Sequence, residues 1–332
     1  MLPSQMRLPP IAPDIEATIK GTAPAPASKY ALWYRQPATD WMTQALPIGN
    51  GEFGGMVFGG IKQEQVQFND KTLWQGDTKT YGAYQNFGSL YINTPNVTAV
   101  QNYRRELDIQ NAVASVVYEV NGVSYKREYF SSAVDNAIII RYTSSAANAV
   151  DLTAILYGAH QETPSYNGNT AVFSGKLSLL NYYTQMTVKN EGGTLVTNTY
   201  NISVKGANSV TIILRGKTNY DPASSTYTFA ATSLPTLVQG IVSAAAGKSY
   251  DAMKAAHIAD YQSFFNTSSL SLNSGTNSIP TDQLLAQYNS SATKPTLLNE
   301  LYYQYGRYLL ISSARGVATP SNLQGIWNNS NT

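Results

Sequence analysis

The sequence predicts a mainly β protein in which a large antiparallel sandwich is followed by helices. Short β-branched and aromatic runs fill the chain from Tyr30 to about Ala231, turn residues separate them, and no helical pattern interrupts them. Near Leu237 the composition shifts toward Ala, Ser, Lys and Met, with apolar residues at helical intervals. Many short strands without intervening helices are typical of antiparallel sheets packed as a sandwich.

The strands alternate with recognisable turn signals. The clearest predicted strands are residues 115–120, 136–142, 151–157, 171–173 and 209–215. Asn121-Gly122, Asn167-Gly168 and the Gly192-Gly193 pair supply the positive backbone φ angles that tight hairpin turns require. Each signal therefore predicts a reversal of the chain between two antiparallel strands.

The helical part is predicted from residue spacing. Residues 239–265 lack proline and place Tyr250, Met253, His257 and Tyr261 on one face of a single amphipathic helix. Pro280-Thr281-Asp282 indicates a second helix start, with Thr281 or Asp282 as the cap. A further helix is expected from about Pro295 to Arg315, closed by Gly316. Its predicted apolar stripe is Leu298, Leu301, Tyr302, Tyr305, Leu309 and Ser312.

So few helices cannot bury their own apolar stripes. The last segment, TPSNLQGIWNNSNT, has neither a closing strand nor the character of a tail. We therefore expect a helical domain that continues past Thr332.

The composition favours a protein that handles neutral polar ligands. Charged residues make up only 13% of the chain, about half the usual share, while 24 tyrosines and many amides supply polarity. A net charge of +2, with no basic cluster larger than Arg104-Arg105, argues against a nucleic-acid partner. The absence of cysteine excludes disulfides, thiolate metal sites and a cysteine nucleophile.

No stretch is long and apolar enough to predict a membrane span, and residues 1–21 lack the apolar region of an intact signal peptide. The composition nevertheless suits an extracytoplasmic protein, either periplasmic or secreted.

One short stretch, PIGNGEFGG, has the spelling of a dinucleotide-binding loop. Gly49, Gly51 and Gly54 match the glycine pattern, and Asp70 follows near the position of a ribose-binding acid. A Rossmann loop must follow a parallel strand and open a helix, yet Pro47 precedes this one closely and Gly59-Gly60 would break a helix after one turn. The context therefore favours a glycine-rich hairpin turn between strands.

The titratable residues give no recognisable catalytic set. His160 and His257 have no acidic cluster at metal-ligand spacing beside them, so no metal or other cofactor is predicted. We expect His257 in the core and His160 at the surface. The carboxylates among aromatics and glycines are Glu52, Asp70, Glu106, Asp108 and Glu128. Since the Arg104-Arg105 pair and the Lys126-Arg127 pair precede three of them, structural ion pairs are the favoured interpretation.

Two tryptophans lie in polar loops. Trp74 stands in NDKTLWQG and Trp327 in NLQGIWNN, contexts that suit stacking on a sugar ring. Tryptophan is equally a good core residue, so the sequence leaves both interpretations open at each position.

Several blocks in order carry a family resemblance that runs from about Tyr30 to the end of the chain. They are LWYRQP from Leu32, ALPIGNG from Ala45, GGMVFGG from Gly54, NDKTLWQG from Asn69, YQNFGSL from Tyr84, YRRELD from Tyr103, REYFS from Arg127, HIADY from His257, PTD from Pro280, QYGRYLLISS from Gln304 and NLQGIWN from Asn322. In this order and spacing they resemble the glycoside hydrolase family 95 α-L-fucosidases.

The resemblance implies a fold and a division of the chain. Residues 1–29 would be an extended lead-in, and 30–236 an N-terminal β-supersandwich. Residues 237–292 would form a helical linker, and 293–332 the incomplete start of an (α/α)6 catalytic barrel with its first helix. The family's C-terminal β domain would follow that barrel.

The resemblance also implies a reaction and a partner. The reaction is inverting hydrolysis of terminal α-1,2-linked L-fucose, with a fucosylated oligosaccharide or glycan as substrate. A Glu would protonate the leaving oxygen, while asparagines and an Asp would position and activate the attacking water. The family places those groups after the NLQGIWN block, so no catalytic residue is expected among residues 1–332, and the catalytic part of the same polypeptide is expected to follow.

Some positions depart from the family pattern. Asn86, Ser89 and Leu284 stand where Pro, Asp and Arg are common, and residues 314–318 replace a Ser-Arg-Pro-Gly segment. Since related enzymes act on galactosides, the choice between fucoside and galactoside stays open.

Six residues are expected near the seam between sandwich and barrel, as support or as substrate contacts at the rim: Asn69, Thr72, Trp74, Asn322, Gln324 and Trp327. The alternative function is a non-catalytic carbohydrate-binding or purely structural sandwich. The reading frame beyond Thr332 would separate the two hypotheses.

Overall fold

The computed structural model describes residues 17–77, 79, 82–95, 97–292, 294–315 and 322–331. Two large sheets face each other, and four helices follow them in the chain. This arrangement confirms the predicted fold class. The strands are β1 (Thr18–Lys20), β2 (Ala31–Tyr34), β3 (Leu46–Gly49), β4 (Phe53–Val57), β5 (Gln63–Asp70), β6 (Trp74–Gln75), β7 (Ala83–Tyr84), β8 (Gly88–Asn93), β9 (Ala99–Asp108), β10 (Val113–Val120), β11 (Val123–Ser132), β12 (Ala137–Ser144), β13 (Val150–Gly158), β14 (Ser165–Asn167), β15 (Thr170–Lys176), β16 (Asn181–Glu191), β17 (Thr194–Asn198), β18 (Asn201–Ala207) and β19 (Ser209–Thr218).

One sheet has ten strands in the order β1-β9-β10-β11-β12-β19-β16-β15-β14, with β2 also pairing β9. The other has seven strands in the order β17-β18-β13-β8-β5-β4-β3, and β6 and β7 form a separate pair. The pairs are antiparallel except β1 with β9, so part of the predicted lead-in joins the sheet. The hairpin turns fall at Asn121-Gly122 and Gly168, as their sequence signals predicted.

The core lies between the two sheets, and a second apolar layer covers the ten-stranded sheet from outside. Strand β12 shows why: Ile138 and Ile140 face the inter-sheet core, while Ile139 faces the outer layer. Both faces of β12 are therefore buried, which explains its uninterrupted isoleucine run. Helices α1 (Leu234–Ala246) and α2 (Tyr250–Phe265) cover the outer face through Val238, Val242 and Met253.

The single helix predicted over 239–265 is wrong, because the structure contains two. Gly247 ends α1, and Ser249 starts α2 by accepting a hydrogen bond from the Ala252 N–H at 3.2 Å. His257 is 3% exposed, stacks on Phe130 and bonds to the Ala112 carbonyl oxygen at 3.0 Å, so its predicted core position is confirmed. Burial lowers the pKa of His257 to about 4.

Helix α3 spans Thr281–Ser290, and its predicted cap is wrong. Pro280 occupies the N-cap position and has no capping side chain. The Thr281 hydroxyl instead accepts a hydrogen bond from the Trp33 backbone N–H at 2.9 Å. The Thr281 hydroxyl therefore binds the sandwich and does not cap helix α3.

Helix α4 spans Thr296–Ala314, close to its predicted bounds, whereas Gly316 lies outside the described residues. The predicted stripe is partly wrong, since Tyr302 is 80% exposed. Glu300 and Gln304 occupy the buried face instead. The Glu300 carboxylate accepts hydrogen bonds from the Leu272 and Ser274 N–H groups and pairs with Lys29 at 2.7 Å. The hydrogen bonds and the ion pair of Glu300 therefore favour burial of the helix face that carries Glu300 and Gln304, in place of part of the predicted apolar stripe.

The stretch PIGNGEFGG is a hairpin turn, as predicted. It joins β3 to β4 at the edge of the seven-stranded sheet, and no helix follows. Gly51 has a φ of +92°. A Cβ on Gly49 would lie 2.5 Å from the Ser312 carbonyl oxygen and 2.7 Å from Ile326 Cδ1. The glycines therefore let the end of α4 and the segment 322–331 approach the sheet closely.

Candidate functional site

A cleft of about 570 Å³ lies at one end of the sandwich. Its walls come from the loop after β5, the turn before β16, the loop after β19 and the segment 322–331. The lining residues are Lys71, Thr72, Trp74, Gly76, Asp77, Gly82, Leu179, Leu180, Tyr220, Thr226, Tyr227, Thr228 and Asn322. A volume of this size is typical of a small-molecule site.

Trp74 supplies an aromatic face to this cleft. Its ring is 36% exposed and stacks on Tyr84, with centroids 5.3 Å apart and planes 20° from parallel. The indole N–H donates to the Lys71 carbonyl oxygen at 3.0 Å, which fixes the orientation of the ring. Tyr84 is buried, and its hydroxyl donates to the Ile326 carbonyl oxygen at 2.8 Å. One side of Trp74 is thus held by the fold while the other remains open.

Thr72 connects the cleft to buried charges below it. Its N–H donates to the Asp70 carboxylate at 3.0 Å, and its hydroxyl contacts both Asp70 and the Thr218 hydroxyl. Asp70 is fully buried and lies 3.5 Å from the Arg215 guanidinium. Arg215 also pairs with Glu52 at 2.8 Å, and Lys217 pairs with Glu52. Two carboxylates and two cations therefore share one cluster.

The two acids of this cluster respond to it differently. Burial acts to raise the pKa of Glu52, but the charges of Arg215 and Lys217 outweigh burial and lower it to about 2. Burial raises the pKa of Asp70, and the charge of Glu52 raises it further against the opposing effect of Arg215. Glu52 is thus the firmly ionised member, and Asp70 is the member that takes up a proton more readily.

The predicted structural ion pairs are largely confirmed. Arg104 pairs with Glu106 at 2.6 Å, and Glu128 pairs with Lys126 at 2.8 Å and Lys254 at 2.7 Å. The exception is Arg127, which points away from its neighbour Glu128. Asp108 is held by hydrogen bonds rather than by an ion pair in the described residues, including one from the Ser28 hydroxyl at 3.1 Å.

The structure brings three of the six predicted residues to the cleft: Thr72, Trp74 and Asn322. The side-chain oxygen of Asn322 is buried and receives no hydrogen bond from the described residues. A buried acceptor without a hydrogen-bond partner is unusual in a folded protein. The backbone of Asn322 is held in a turn, where its carbonyl oxygen accepts from the Gly325 N–H at 3.2 Å.

Asn69 and Trp327 lie in the seam behind the cleft. The Asn69 amide donates to the Gln85 carbonyl oxygen at 2.9 Å and accepts from the Asn328 N–H at 3.2 Å. Trp327 is 7% exposed, and its indole N–H donates to the Ile48 carbonyl oxygen at 2.9 Å. Both side chains tie the segment 322–331 to the sheet, and neither presents an open face.

Gln324 is exposed and is not part of the cleft lining. Sequence reasoning missed the loop after β19, which adds Tyr220 and Tyr227 to the cleft. The available signal was the pair of tyrosines on either side of the turn-forming run DPASST. Proline and serine in such a run indicate only an ordinary surface loop.

The described lining of the cleft is mostly uncharged. Asp77 is the one carboxylate among its described lining residues, and it accepts from the Lys79 N–H at 2.7 Å. His160 is half-buried, bonds to the Asn86 carbonyl oxygen at 3.0 Å and lies outside the lining. No group of three or more metal-ligating acids or histidines occurs in the described part of the chain. None of the described helices is long and apolar enough to cross a membrane.

Comparison with known proteins relates this chain to carbohydrate-active enzymes. Residues 32–82 and 77–223 match the glycosyl hydrolase family 65 N-terminal domain. Residues 249–332 match the glycosyl hydrolase family 95 catalytic domain. The chain therefore contains an N-terminal domain of the glycosyl hydrolase family 65 type, and its C-terminal part is similar to the family 95 catalytic domain.

Two relatives have related names. The chain is 28% identical over 366 residues to the Probable alpha-fucosidase A of Aspergillus niger, covering 92% of this chain and 45% of the relative. It is 27% identical over 372 residues to the Alpha-L-fucosidase 2 of Arabidopsis thaliana, covering 90% and 43%. The chain thus spans less than half the length of these two relatives.

A solved structure shares the fold. A putative kojibiose phosphorylase from the human microbiome matches with a TM-score of 0.57 at 11% identity, over 91% of this chain and 44% of that chain. At this identity the likeness concerns the architecture alone.

Proposed function

We propose that this protein acts in the inverting hydrolysis of terminal α-1,2-linked L-fucose from glycans. The similarity of residues 249–332 to the family 95 catalytic domain and two relatives named as α-fucosidases support the substrate class. In this proposal the described residues hold the glycan, and the groups that transfer protons are not among residues 1–332. Asn69 and Trp327 support the seam, while Thr72, Trp74 and Asn322 contact the substrate at the rim.

The observation that carries this proposal is the character of the cleft. Trp74 presents an open aromatic face beside the hydroxyls of Thr72, Thr226 and Thr228 and the unpaired amide oxygen of Asn322. Aromatic faces bind the apolar C–H faces of sugar rings, and hydroxyls and amides bind their hydroxyl groups. The charged lining groups are engaged, since Lys71 donates to the Ser313 carbonyl oxygen at 3.1 Å. A neutral sugar therefore fits this lining.

The positions of the described acids support the proposal that proton transfer takes place elsewhere. An inverting glycosidase needs a carboxylic acid near the leaving oxygen and an activated water on the opposite side of the sugar ring. Glu52 and Asp70 pair with Arg215 beneath the cleft. Asp77 is the one acid among the described lining residues. None of these described acids forms a pair across the cleft. The low charge of the whole chain suits the extracytoplasmic location proposed here.

The test uses the complete product of the reading frame that encodes residues 1–332. We expect it to release L-fucose from 2′-fucosyllactose and to give β-L-fucose first, as proton NMR would detect before mutarotation. Release of galactose instead, from an α-galactoside panel, would overturn the fucoside assignment. Initial formation of α-L-fucose would overturn inversion.

A truncated sample tests the placement of the catalytic groups. Residues 1–332 alone are expected to show no turnover of 2′-fucosyllactose, and measurable turnover would contradict the proposal. If the complete product binds glycans without cleaving any of them, the non-catalytic carbohydrate-binding alternative replaces it.

A further inference from the structure

Tyr227 is the most unusual residue of the cleft. Its φ is +58°, a left-handed conformation that bulky side chains rarely adopt. Eight described non-glycine residues have positive φ, and five of them are asparagines, which tolerate it well. Tyr227 is the one aromatic residue in this group, and its side chain is 50% exposed. Neither backbone preference nor core packing accounts for a tyrosine at this position.

The loop that carries Tyr227 is anchored at its base. Tyr220 and Thr228 form an isolated β-bridge, and the Asn219 amide donates to the Phe229 carbonyl oxygen at 2.8 Å. Within the loop, the Asp221 N–H donates to the Tyr227 carbonyl oxygen at 2.9 Å, and the Tyr227 N–H donates to Ser224 at 3.0 Å. The backbone of Tyr227 is therefore fixed while its ring remains accessible. Strain held in place by surrounding bonds is a feature of binding sites.

Trp74 of β6 and Tyr227 of the loop after β19 line the same cleft with exposed side chains. Under the proposed function, the scissile fucosyl bond lies beside the proton-transfer groups, which are not among the described lining residues of this cleft. The remainder of the glycan, on the leaving-group side of that bond, is what the cleft can hold.

We propose that Tyr227 and Trp74 form an aromatic subsite for the neutral sugar residues on the leaving-group side of the scissile bond. This inference rests on the proposed function. Tyr227 is then a specificity-determining residue that favours extended neutral glycans over small fucosides. Since Lys71 is engaged by the Ser313 carbonyl oxygen and is the one cation in the described lining, the subsite offers no free cation to an acidic sugar.

Binding of a fucose-free glycan tests the subsite independently of catalysis. Lacto-N-tetraose, a neutral tetrasaccharide without fucose, is titrated into the complete product of the reading frame, with isothermal calorimetry as the readout. We expect Tyr227→Asn to raise Kd about tenfold, the equivalent of one lost ring contact. Tyr227→Phe retains the ring and should bind like the wild type.

The matched control is Tyr200→Asn, which removes a tyrosine of similar exposure (53%) from the turn between β17 and β18. Its Kd should be unchanged. Tyr227→Gly, which relieves the backbone strain, should keep or raise Tm while weakening binding as Tyr227→Asn does. If Tyr227→Asn and Tyr227→Gly both lower Tm and leave the Kd for lacto-N-tetraose unchanged, Tyr227 has a purely structural role and the inference is overturned.

Kinetics separate this inference from the proposed function. For 2′-fucosyllactose we expect Tyr227→Asn to raise KM several-fold with kcat nearly unchanged. A protein that binds lacto-N-tetraose through Tyr227 but releases no fucose would contradict the proposed function and leave the aromatic subsite standing. A wild-type protein that releases fucose but shows no binding of lacto-N-tetraose would overturn the subsite alone.

Discussion

Two fully buried arginines, Arg127 and Arg215, lie in the same ten-stranded sheet and have different surroundings. Arg127 donates to the carbonyl oxygens of Gly60 and Ile61 and to the Tyr118 hydroxyl, the last at 2.8 Å, and lies 3.5 Å from the Glu64 carboxylate. Its guanidinium also lies over the Tyr118 ring at 5.1 Å. One cation here meets one acid and several neutral acceptors.

Arg215 lies over the Phe53 ring at 5.0 Å and meets two acids, Glu52 and Asp70. All three guanidinium nitrogens of Arg215 are buried, and none makes a hydrogen bond of good geometry to the described residues. Arg127 thus donates hydrogen bonds from both of its terminal nitrogens and leaves Nε without a partner among the described residues, whereas Arg215 belongs to a charge cluster that supports the cleft through Thr72. Satisfied buried networks rigidify a fold, whereas shared charges leave room for proton uptake.

The largest expected effect is at Arg127. Arg127→Met should lower the free energy of unfolding by about 3–5 kcal/mol, because it removes the cation 3.5 Å from the buried Glu64 carboxylate and the donor to the Gly60 carbonyl oxygen. Chemical denaturation at pH 7 measures this loss. Glu64 retains hydrogen bonds from the Gly59 N–H at 2.8 Å and the Tyr129 hydroxyl at 2.6 Å, which favour a fixed geometry. A loss below about 1 kcal/mol would place Arg127 among surface-type contacts.

Arg215→Met should cost less, about 2–3 kcal/mol at pH 7, because Asp70 can take up a proton when its cation is removed. The pKa of Asp70 is already raised by burial and by Glu52. Burial and Glu52 favour the neutral form of Asp70 more in the folded state than in the unfolded state, so the penalty of removing Arg215 should shrink as the pH falls through that raised pKa. Measurements of unfolding at pH 7 and pH 5 test this.

Arg215→Lys is the matched control, since it retains a positive charge near both acids. We expect it to recover part of the lost stability. A loss for Arg215→Met that is equal at both pH values would show that Asp70 does not take up the proton.

These arginines also show what the sequence could and could not predict. Arg104 and Glu106 are two residues apart in β9 and share a face, so their pairing was predictable. Arg127 and Glu128 are adjacent in β11 and point to opposite faces, so Arg127 finds Glu64 and Glu128 finds Lys126 and Lys254. To predict an ion pair between residues that are distant in sequence, one must know which strands are neighbours in the sheet. The patterns of single strands do not supply that order.

The same limit applies to the cleft. Thr72 and Trp74 belong to one short motif, and Asn322 to another, and both motifs were visible in the sequence. Tyr227 joins them because β19 ends beside the loop that follows β5, as the contact between the Thr72 and Thr218 hydroxyls shows. No local spacing encodes that neighbourhood. Helix α4 adds a second case, since its buried Glu300 is explained by the distant partners Lys29 and Leu272.

Glu52 gives a smaller, pH-dependent effect within the Arg215 cluster. Its pKa of about 2 lies below the ordinary value of 4.5, so the folded state favours the ionised form. The stabilisation is complete above about pH 4.5 and is lost as the pH falls toward 2. Glu52→Gln should therefore flatten the acid limb of the stability curve and cost on the order of 1 kcal/mol at pH 7.

The net cost of Glu52→Gln stays small because removing Glu52 also lets Asp70 ionise beside Arg215. An acid limb identical to that of the wild type between pH 4.5 and pH 2 would contradict the lowered pKa of Glu52.

The smallest effect is expected for the ion pair of Arg141 and Glu191, whose carboxylate is exposed. This pair is the reference for the stability effects of the two buried arginines. Arg141 donates two hydrogen bonds to the Glu191 carboxylate at 2.8 and 3.0 Å, yet the Glu191 side chain is 63% exposed. Water competes for the Glu191 carboxylate, so Glu191→Gln should cost less than about 1 kcal/mol. Because salt screens exposed charges, that cost should fall further at 1 M NaCl, while the cost of Arg127→Met should not. A salt-independent loss at Glu191 that equals the Arg127 loss would remove burial as the cause of the difference.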